Sequence, residues 1–202
     1  STQAALYSEL STILPAELCR FHPSISGSEA TEIAIKSAMH FTGAKKFVGF
    51  TGGYHGRTLG ALAVSGEKGK NISLGPFYPD TKIIEFPTNG DDLTASLSEL
   101  VNEPLSGVII EPIQATAGLK FVSKQSLQEL REFANRKKIP LIFDETFTGF
   151  GRTGKIFAFQ HYDIIPDMII FGKALSVGFP AGLVVSNEEI LTHWEKGTQS
   201  ST

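Results

Sequence analysis

Three scarcities limit what this sequence of 202 residues can be. The single cysteine, Cys19, excludes a disulfide within the chain and a zinc site built on cysteine pairs, and it permits a reducing compartment without demonstrating one. The formal net charge of −3 and the scattered lysines and arginines exclude the basic surface that would bind nucleic acid or an anionic membrane. No apolar run approaches the roughly 20 residues of a membrane span. We therefore expect a globular protein that binds neither nucleic acid nor membrane and holds no metal ion.

Glycine and phenylalanine are abundant, with 20 and 15 residues, which favours a folded protein with many tight turns. Short apolar runs of the length of buried parallel strands recur along the chain, and helix-patterned segments separate several of them. This alternation predicts parallel pairing through right-handed crossovers, and hence a layered α/β sheet. The predicted strands are residues 47–50, 82–86, 107–113, 140–144, 167–171 and 182–186.

Three helix starts are predicted from side chains that can cap a first turn. Ser28 and Asp91 each precede apolar residues at helical spacing. For a third helix, Ser123 and Ser126 are alternative caps.

Polar or glycine-rich residues lie at the ends of four apolar runs, namely residues 51–58 (TGGYHGRT) after Phe50, Glu111 at the end of VIIE, Asp144 at the end of LIFD, and the pair Gly172–Lys173 after MIIF. Taken singly, a carboxylate at a strand end is commonly a turn or cap residue, and a lysine there is commonly on the surface. In an open α/β sheet, however, ligands bind outside the carboxyl ends of the strands. Together these residues predict a cofactor site at one edge of the sheet.

Lys173 fits covalent chemistry with a carbonyl group. Such a lysine must be a neutral amine for part of its cycle, and the apolar strand before Lys173 predicts sheltered surroundings that favour this form. If the carbonyl is the aldehyde of pyridoxal phosphate, a carboxylate is needed against the pyridine nitrogen, so that the ring can accept electrons. Asp144, at the end of an earlier strand, is the candidate.

The other parts of pyridoxal phosphate also find candidate partners. Gly27 and Ser28, at the start of the first strong helix, offer backbone N–H groups to the phosphate. Tyr54, with His55 beside it, offers an aromatic face to the ring.

Several longer motifs occur in a recognisable order: SGSEATE, GGYHGRT, VIIEPIQ, IFDETFTGFGRTGK, PDMIIFGKAL with GFPAG, and GTQSST. In these motifs, from about residue 21 to residue 202, the sequence resembles the class-III pyridoxal-phosphate-dependent aminotransferases of fold type I, which include ornithine, acetylornithine and 4-aminobutyrate aminotransferases. An ordered set of this kind is far more specific than any one motif.

The resemblance implies a three-layer α/β sandwich with a mostly parallel sheet of about seven strands. A strand at residues 20–26 would be the seventh, and residues 182–186 would form the one antiparallel strand. By the same resemblance, residues 1–202 form the cofactor-binding large domain, and we expect an N-terminal segment and a C-terminal small domain to be missing. We expect a cytoplasmic location, with an organelle left open because of the missing N-terminal segment.

The resemblance also implies roles for the candidate residues. Lys173 would carry pyridoxal phosphate as an internal aldimine and move the proton at the substrate Cα, while Asp144 would pair with the pyridine nitrogen. Gly27 and Ser28 would bind the phosphate, and Tyr54 would stack on the ring.

Further residues enter through the same resemblance. Arg57 matches a position that binds a substrate carboxylate, for which a guanidinium is well suited; a structural salt bridge is its alternative role. Thr202 matches a threonine that reaches the cofactor phosphate of the other subunit, which implies a homodimer with shared active sites. Glu111 and His55 would belong to the cofactor site, Glu111 without a role that we can derive.

Two positions depart from the family pattern. Phe147 stands where a glutamine commonly hydrogen-bonds the cofactor's phenolic oxygen, which phenylalanine cannot do. Thr116 stands where ornithine- and aminobutyrate-type members commonly have a glutamate that pairs with a second substrate-binding arginine. The second departure weakens an assignment to those substrates.

The function expected from the resemblance is transamination from an amino acid or ω-amine donor to an oxo acid such as 2-oxoglutarate or pyruvate, in two half-reactions. Two alternatives stay open: a piece that binds the cofactor without turnover, and a decarboxylase or aminomutase of the same family. A nucleotide-binding oxidoreductase would also suit an α/β sheet, but no predicted strand is followed by G-x-G-x-x-G with an acidic residue about 20 positions on.

Overall fold

The structure is a computed structural model that describes residues 2–66, 74–88 and 93–192. The strands are β1 (Arg20–Ser24), β2 (Lys46–Phe50), β3 (Asp80–Ile84), β4 (Leu105–Ile110), β5 (Ile113–Gln114), β6 (Lys120–Phe121), β7 (Leu141–Asp144), β8 (Met168–Phe171) and β9 (Gly182–Ser186). The α-helices are α1 (Thr2–Ile13), α2 (Gly27–Thr42), α3 (Leu59–Val64), α4 (Thr94–Ser98), α5 (Lys124–Lys137) and α6 (Glu188–Thr192). Two 3₁₀ helices span Ala158–His161 and Lys173–Ser176.

Seven of these strands form one sheet in the order β1-β9-β8-β7-β4-β2-β3. The pairs from β8 across to β3 are parallel, whereas β9 runs antiparallel to both of its neighbours, β8 and β1. The predicted seven-stranded sheet with one antiparallel strand at residues 182–186 is therefore confirmed. The short strands β5 and β6 form a separate hairpin.

Helices cover both faces of the sheet, which makes three layers. Successive strand residues point to opposite faces, so each central strand contributes to two core clusters. Ile109, Ile142 and Ile170 pack in the cluster that contains the apolar residues of α2. Ile110 and Phe143 pack in the larger cluster that contains those of α1 and α5. Because both faces are covered, β4, β7, β8 and β9 are buried along their whole length.

The N-terminus of α2 differs from the prediction. The cap is Ser26, whose backbone is extended and whose hydroxyl accepts the N–H of Glu29 at 3.1 Å. Ser28, the predicted cap, lies inside the first turn, and its hydroxyl accepts the N–H of Arg57 at 3.1 Å. The prediction was wrong because the helix begins at Gly27, so the extended residue that can cap it is Ser26, and Ser28 is free to make a long-range contact instead.

The other helix starts and two strand boundaries also refine the predictions. Ser123 is the cap of α5, and Ser126 bonds to it from the first turn. Asp91 lies outside the described residues. The runs predicted at 82–86 and 107–113 are shifted, because β3 ends at residue 84 and β4 at residue 110. In the described part of the chain, no helix has the length and apolar character to cross a membrane.

Candidate active site

The four strand ends that the sequence singles out belong to β2, β4, β7 and β8, which lie side by side in the sheet. A cleft of about 210 Å³ opens at this edge. Seven of the nine candidate residues line it, and they are Gly27, Ser28, Tyr54, His55, Glu111, Asp144 and Lys173.

At the floor of the cleft, Nδ1 of His55 lies 2.8 Å from Oδ2 of Asp144. Thr146 donates its backbone N–H to the other carboxylate oxygen at 2.9 Å. Burial by itself would raise the pKa of Asp144, but the bonds from His55 and Thr146 outweigh it and lower that pKa below its ordinary value. Asp144 is therefore an ionised carboxylate in a buried position.

His55 complements this charge. Burial would lower the pKa of its imidazole, but the hydrogen bond and the charge of Asp144 outweigh burial and raise that pKa. The backbone of His55 is held as well: its N–H donates to Ser65 at 3.0 Å, and its carbonyl accepts the hydroxyl of Thr31 at 2.8 Å. His55 thus holds the Asp144 carboxylate in place within the lining of the cleft.

Glu111 is a second buried carboxyl group in the lining. It accepts the backbone N–H of Tyr54 at 2.9 Å. Burial, together with the charge of Asp144, raises the pKa of Glu111 to about 7, although His55 acts in the opposite direction. The side chain therefore exchanges a proton near neutral pH while it holds the backbone of the aromatic residue.

The N-terminus of α2 forms the opposite wall. The N–H groups of Gly27 and Ser28 belong to the first turn, where a helix offers donors without intrahelical acceptors and the positive end of its dipole. The turn after β2 approaches closely: a Cβ on Gly56, which has a φ of +130°, would lie 2.3 Å from Oγ of Ser28. This wall can bind an anion such as a phosphate.

Lys173 lies two residues beyond the end of β8, after Gly172, and has a positive φ of 41°. Its side chain is exposed at the cleft, so the predicted sheltering of the amine is not found. The strand before it is buried, but the chain turns outward into the 3₁₀ helix at this residue. Its Nζ lies 5.5 Å from the ring centroid of Phe147, which also lines the cleft.

Two candidates are not part of this lining. Arg57 is exposed, and its guanidinium carbon lies 5.3 Å from the ring centroid of Tyr54. Arg57 is not among the described residues that line the cleft. Thr202 lies outside the described residues.

Sequence reasoning missed three residues. Ser26 lines the cleft, and the spacing of Ser26 and Glu29 is the capping-box pattern that could have identified it. Thr146 lines it too, and no sequence signal marks it. Glu145, buried beside Asp144, accepts the N–H groups of Ala158 and of residue 159 at 2.7 and 2.8 Å, and burial raises its pKa to about 7.

A mostly parallel α/β sheet, with a lysine, a buried carboxylate and a helix N-terminus around one cleft, defines a fold type I pyridoxal-phosphate-binding protein. The sequence model of the family Aminotransferase class-III matches residues 1–202, and the chain belongs to that family.

Relatives support this assignment. The chain is 36% identical to an acetylornithine aminotransferase of Methanopyrus kandleri over 193 residues, which cover 96% of the chain and 48% of the relative. It is 40% identical to an acetylornithine aminotransferase of Archaeoglobus fulgidus over 200 residues, covering 99% and 52%. It is 36% identical to a succinylornithine transaminase of Citrobacter koseri over 183 residues, covering 88% and 44%. The chain thus spans about half the length of these relatives.

The cofactor of this family is pyridoxal phosphate, and the cleft contains chemistry for each of its parts. Asp144 keeps acceptor capacity beyond its bonds to His55 and Thr146, because a carboxylate has about four lone-pair sites. The start of α2 has the N–H donors that fit a phosphate, and Lys173 places at the cleft an amine of the kind that reacts with an aldehyde.

Proposed function

We propose that this chain is the cofactor-binding part of a class-III aminotransferase that moves an amino group from an amino acid or ω-amine donor to an oxo acid such as 2-oxoglutarate or pyruvate. The single observation that carries the proposal is that Lys173 and the ionised Asp144 line one cleft together with the start of α2. Family membership over the whole chain supports the same reaction class.

Bound pyridoxal phosphate would supply an electron-accepting ring that makes a proton at the substrate Cα removable. Lys173 Nζ would hold the cofactor and, as a free amine, would take the proton from the substrate Cα. Asp144 would pair with the pyridine nitrogen, and His55 would keep Asp144 charged and oriented. Gly27 and Ser28 would bind the phosphate through backbone N–H groups, and Tyr54 would lie against the ring.

The proposed donor is an amine at the end of an amino-acid side chain. The names of the relatives refer to acetylornithine and succinylornithine, and we carry this class of donor to the present chain as a proposal. Thr116 lines the cleft and cannot form the ion pair of a glutamate, so we expect a different mode of control over the acceptor carboxylate. Arg57 is proposed to bind a substrate carboxylate by rotating away from Tyr54.

We also propose that residues 1–202 act as one large domain, that the enzyme is a homodimer with shared sites, to which Thr202 contributes, and that it is cytoplasmic. Two apolar side chains beyond Lys173 support a partner surface: Val177 and Phe179 are 91% and 81% exposed. The single free cysteine, Cys19, is compatible with a reducing compartment.

The test is cofactor retention. The purified chain is mixed with pyridoxal phosphate, dialysed, and examined for the visible absorbance of lysine-bound cofactor. We expect this absorbance in the wild type and in the control Lys120→Ala, an exposed lysine on β6, and its loss in Lys173→Ala. An equal, dialysis-resistant absorbance in Lys173→Ala would refute the proposal.

A second candidate is a chain that retains the cofactor without turnover; the residues that line the cleft would serve cofactor binding alone equally well. Acetylornithine and 2-oxoglutarate are added to the loaded chain, and glutamate formation is measured. If the chain retains the cofactor but forms no glutamate with acetylornithine or other amines as donors, the second candidate is supported. Glutamate formation supports the first.

A further inference from the structure

We infer that Thr31 is a positioning residue for the cofactor site: its hydroxyl fixes the backbone of His55 and, through the His55 ring, the carboxylate of Asp144. The inference rests on the proposed function, because it concerns the carboxylate that is expected to pair with the pyridine nitrogen. It goes beyond that function by assigning a role to a buried side chain of α2 that lies behind the described lining of the cleft.

The turn that carries His55 needs side chains to hold its backbone. Residues 52–58 connect β2 to α3 and belong to neither element. Buried backbone groups that no helix or sheet satisfies need other hydrogen-bond partners. The His55 N–H donates to Oγ of Ser65 at 3.0 Å, and the His55 carbonyl accepts the Thr31 hydroxyl at 2.8 Å. Among the described residues, Thr31 is the only donor to this carbonyl.

Thr31 belongs to a row of side chains along α2 that holds this turn and the start of α3. Ser28, Thr31 and Glu32 are spaced i, i+3 and i+4, so they share one face of the helix. Oγ of Ser28 accepts the N–H of Arg57 at 3.1 Å, and Oε1 of Glu32 accepts the N–H of Gly60 at 2.8 Å. The row thus ties the turn to the helix whose start forms the anion-binding wall.

The His55 carbonyl is the acceptor that depends on the Thr31 hydroxyl. This hydroxyl also lies 3.1 Å from the carbonyl of Gly27, the residue four positions earlier, as is common for threonine in a helix. That carbonyl, however, accepts the backbone N–H of Thr31 in the regular helix pattern. A hydroxyl has one proton to donate. Without it, the Gly27 carbonyl would keep a donor, whereas the His55 carbonyl would lose its own.

Gly56 makes this bond necessary for the position of the ring. Gly56 has a φ of +130°, and glycine moves readily among such conformations, so it does little to fix the peptide group that joins it to His55. A buried carbonyl without a donor is costly, so the turn would shift to find one. The His55 ring would shift with it, and the 2.8 Å bond from Nδ1 to Oδ2 of Asp144 would lengthen.

Matched variants separate this bond from general effects on the helix. Thr31→Val removes the hydroxyl and keeps the β-branched shape, whereas Thr31→Ser keeps the hydroxyl. Ser37→Ala is the control for burial, because Ser37 is fully buried in α2 and donates to the Ile33 carbonyl at 2.8 Å. Thr42→Val makes the same chemical change at a hydroxyl that donates to the Ala38 carbonyl at 2.8 Å. Urea unfolding establishes that each variant folds, and Thr31→Ala replaces Thr31→Val if the valine variant does not.

The first measurement follows the bond between His55 and Asp144 without cofactor. In protein labelled with ¹⁵N-histidine, the Nδ1 proton of His55 should give a downfield signal protected from exchange with water, because the side chain is only 1% exposed. The signal is assigned as the one that survives replacement of each other histidine. We expect it in the wild type, Thr31→Ser and both controls, and we expect its loss or upfield movement in Thr31→Val. Its absence from the wild type, or an unchanged signal in Thr31→Val, overturns the inference.

The second measurement compares pyridoxal phosphate with its 1-deaza analogue, which has a carbon in place of the pyridine nitrogen. Both compounds have the aldehyde and the phosphate, but only pyridoxal phosphate has a nitrogen for Asp144. We expect Thr31→Val to bind pyridoxal phosphate roughly two- to tenfold more weakly, the net effect of one hydrogen bond, and the analogue unchanged. Thr31→Ser and both controls should match the wild type. Equal weakening of both compounds would show that Thr31 only supports the shape of the cleft, and it overturns the inference.

The inference and the proposed function fail separately. If the His55 signal depends on Thr31 but the wild type does not retain pyridoxal phosphate, the proposed function fails while the positioning of His55 stands. If the wild type retains pyridoxal phosphate through Lys173 but Thr31→Val matches it in both measurements, the inference fails while the proposed function stands.

Discussion

Nδ1 of His55 and Oδ2 of Asp144 lie 2.8 Å apart, with side chains only 1% and 4% exposed. A buried carboxylate that lies against a ring nitrogen accepts its proton, so Nδ1 is the donor. The bond raises the pKa of His55 and lowers that of Asp144, so the two groups hold each other in their charged forms. Asp144 can remain ionised in a nearly dry position because His55 is there.

Replacing His55 by alanine should therefore affect both stability and the cofactor. Asp144 would remain buried with one donor fewer, and breaking a buried pair from one side costs about 3–5 kcal/mol. We expect urea unfolding at pH 7 to give a loss in this range. Pyridoxal phosphate should bind at least about tenfold more weakly, because the less readily ionised Asp144 pairs poorly with the pyridine nitrogen.

His161→Ala is the control for that change. His161 is exposed, and its Nε2 lies near only the backbone oxygen and the hydroxyl of Thr153, at 3.1 and 3.0 Å, among the described residues. His161→Ala should change the free energy of unfolding by no more than about 0.5 kcal/mol and leave the affinity for pyridoxal phosphate unchanged. If His55→Ala and His161→Ala lost similar amounts of stability and of cofactor affinity, the proposed role of His55 in keeping Asp144 ionised would be refuted.

Glu111 predicts a pH dependence with a definite sign. Its pKa in the folded protein is about 7, above the ordinary value of 4.5, so the folded state keeps a proton that the unfolded chain releases between these values. Stability contributed by this group therefore falls as pH rises from about 4.5 to 7. Glu111→Gln is neutral throughout, and its amide oxygen can still accept the Tyr54 N–H. Relative to the wild type, its free energy of unfolding should rise by up to about 3 kcal/mol between pH 5 and pH 8.

Glu145→Gln is the informative comparison for that pH series. Burial also raises the pKa of Glu145 to about 7. Both of its oxygens accept backbone N–H groups, from Ala158 and from residue 159, so an amide NH₂ would face one of these donors. We expect Glu145→Gln to be destabilised by about 1–3 kcal/mol at pH 5. The prediction for Glu111→Gln would be contradicted if that variant lost as much stability at pH 5 as Glu145→Gln does. It would also be contradicted if its free energy of unfolding, relative to the wild type, did not rise between pH 5 and pH 8.

The main features of the site could be predicted from the sequence because the carboxyl ends of parallel strands share one edge of a sheet. Asp144 is the last residue of β7, Glu111 follows β4, and Lys173 lies two residues beyond the end of β8; the structure brings all three to one cleft. Strand length and apolar character are local properties, so six of the seven strands could be predicted from apolar runs. The seventh, β1, has no buried residue, and its prediction came from the family resemblance.

Features that depend on tertiary contacts could not be predicted. Ser28 lies inside the first turn of α2, which Ser26 caps, and its hydroxyl accepts the N–H of Arg57, 29 residues along the chain. The methyl group of Thr146 lies 3.2 Å from the position that a Cβ on Gly27 would take, at the wall of the cleft. The residues next to Thr146 in the sequence do not indicate this contact. The exposure of Lys173 follows from the direction in which the chain leaves β8.

Gly56→Ala should damage the cleft more than the same substitution at another glycine with a positive φ. Gly56 has a φ of +130°, and an added Cβ would lie 2.3 Å from Oγ of Ser28, so the turn and the start of α2 must separate. Gly151 has a φ of +88° with nothing within 4 Å of an added Cβ. We expect Gly151→Ala to cost about 1–2 kcal/mol from backbone strain alone. Gly56→Ala should cost more in urea unfolding and weaken pyridoxal phosphate binding at least tenfold, and normal binding by it would contradict the proposed wall.

Ser26→Ala tests the start of α2 as the phosphate site, with Ser123→Ala as its match. Each serine caps a helix through a bond to a first-turn N–H, so each substitution should cost about 1 kcal/mol of stability. Only Ser26 lines the cleft. Frayed first-turn N–H groups bind an anion poorly, so Ser26→Ala should weaken pyridoxal phosphate roughly five- to tenfold and leave the affinity for pyridoxal, which has no phosphate, unchanged. Ser123→Ala should alter neither affinity. If Ser26→Ala weakens both compounds equally, α2 does not bind the phosphate, and its N-terminus serves the cleft only as a wall.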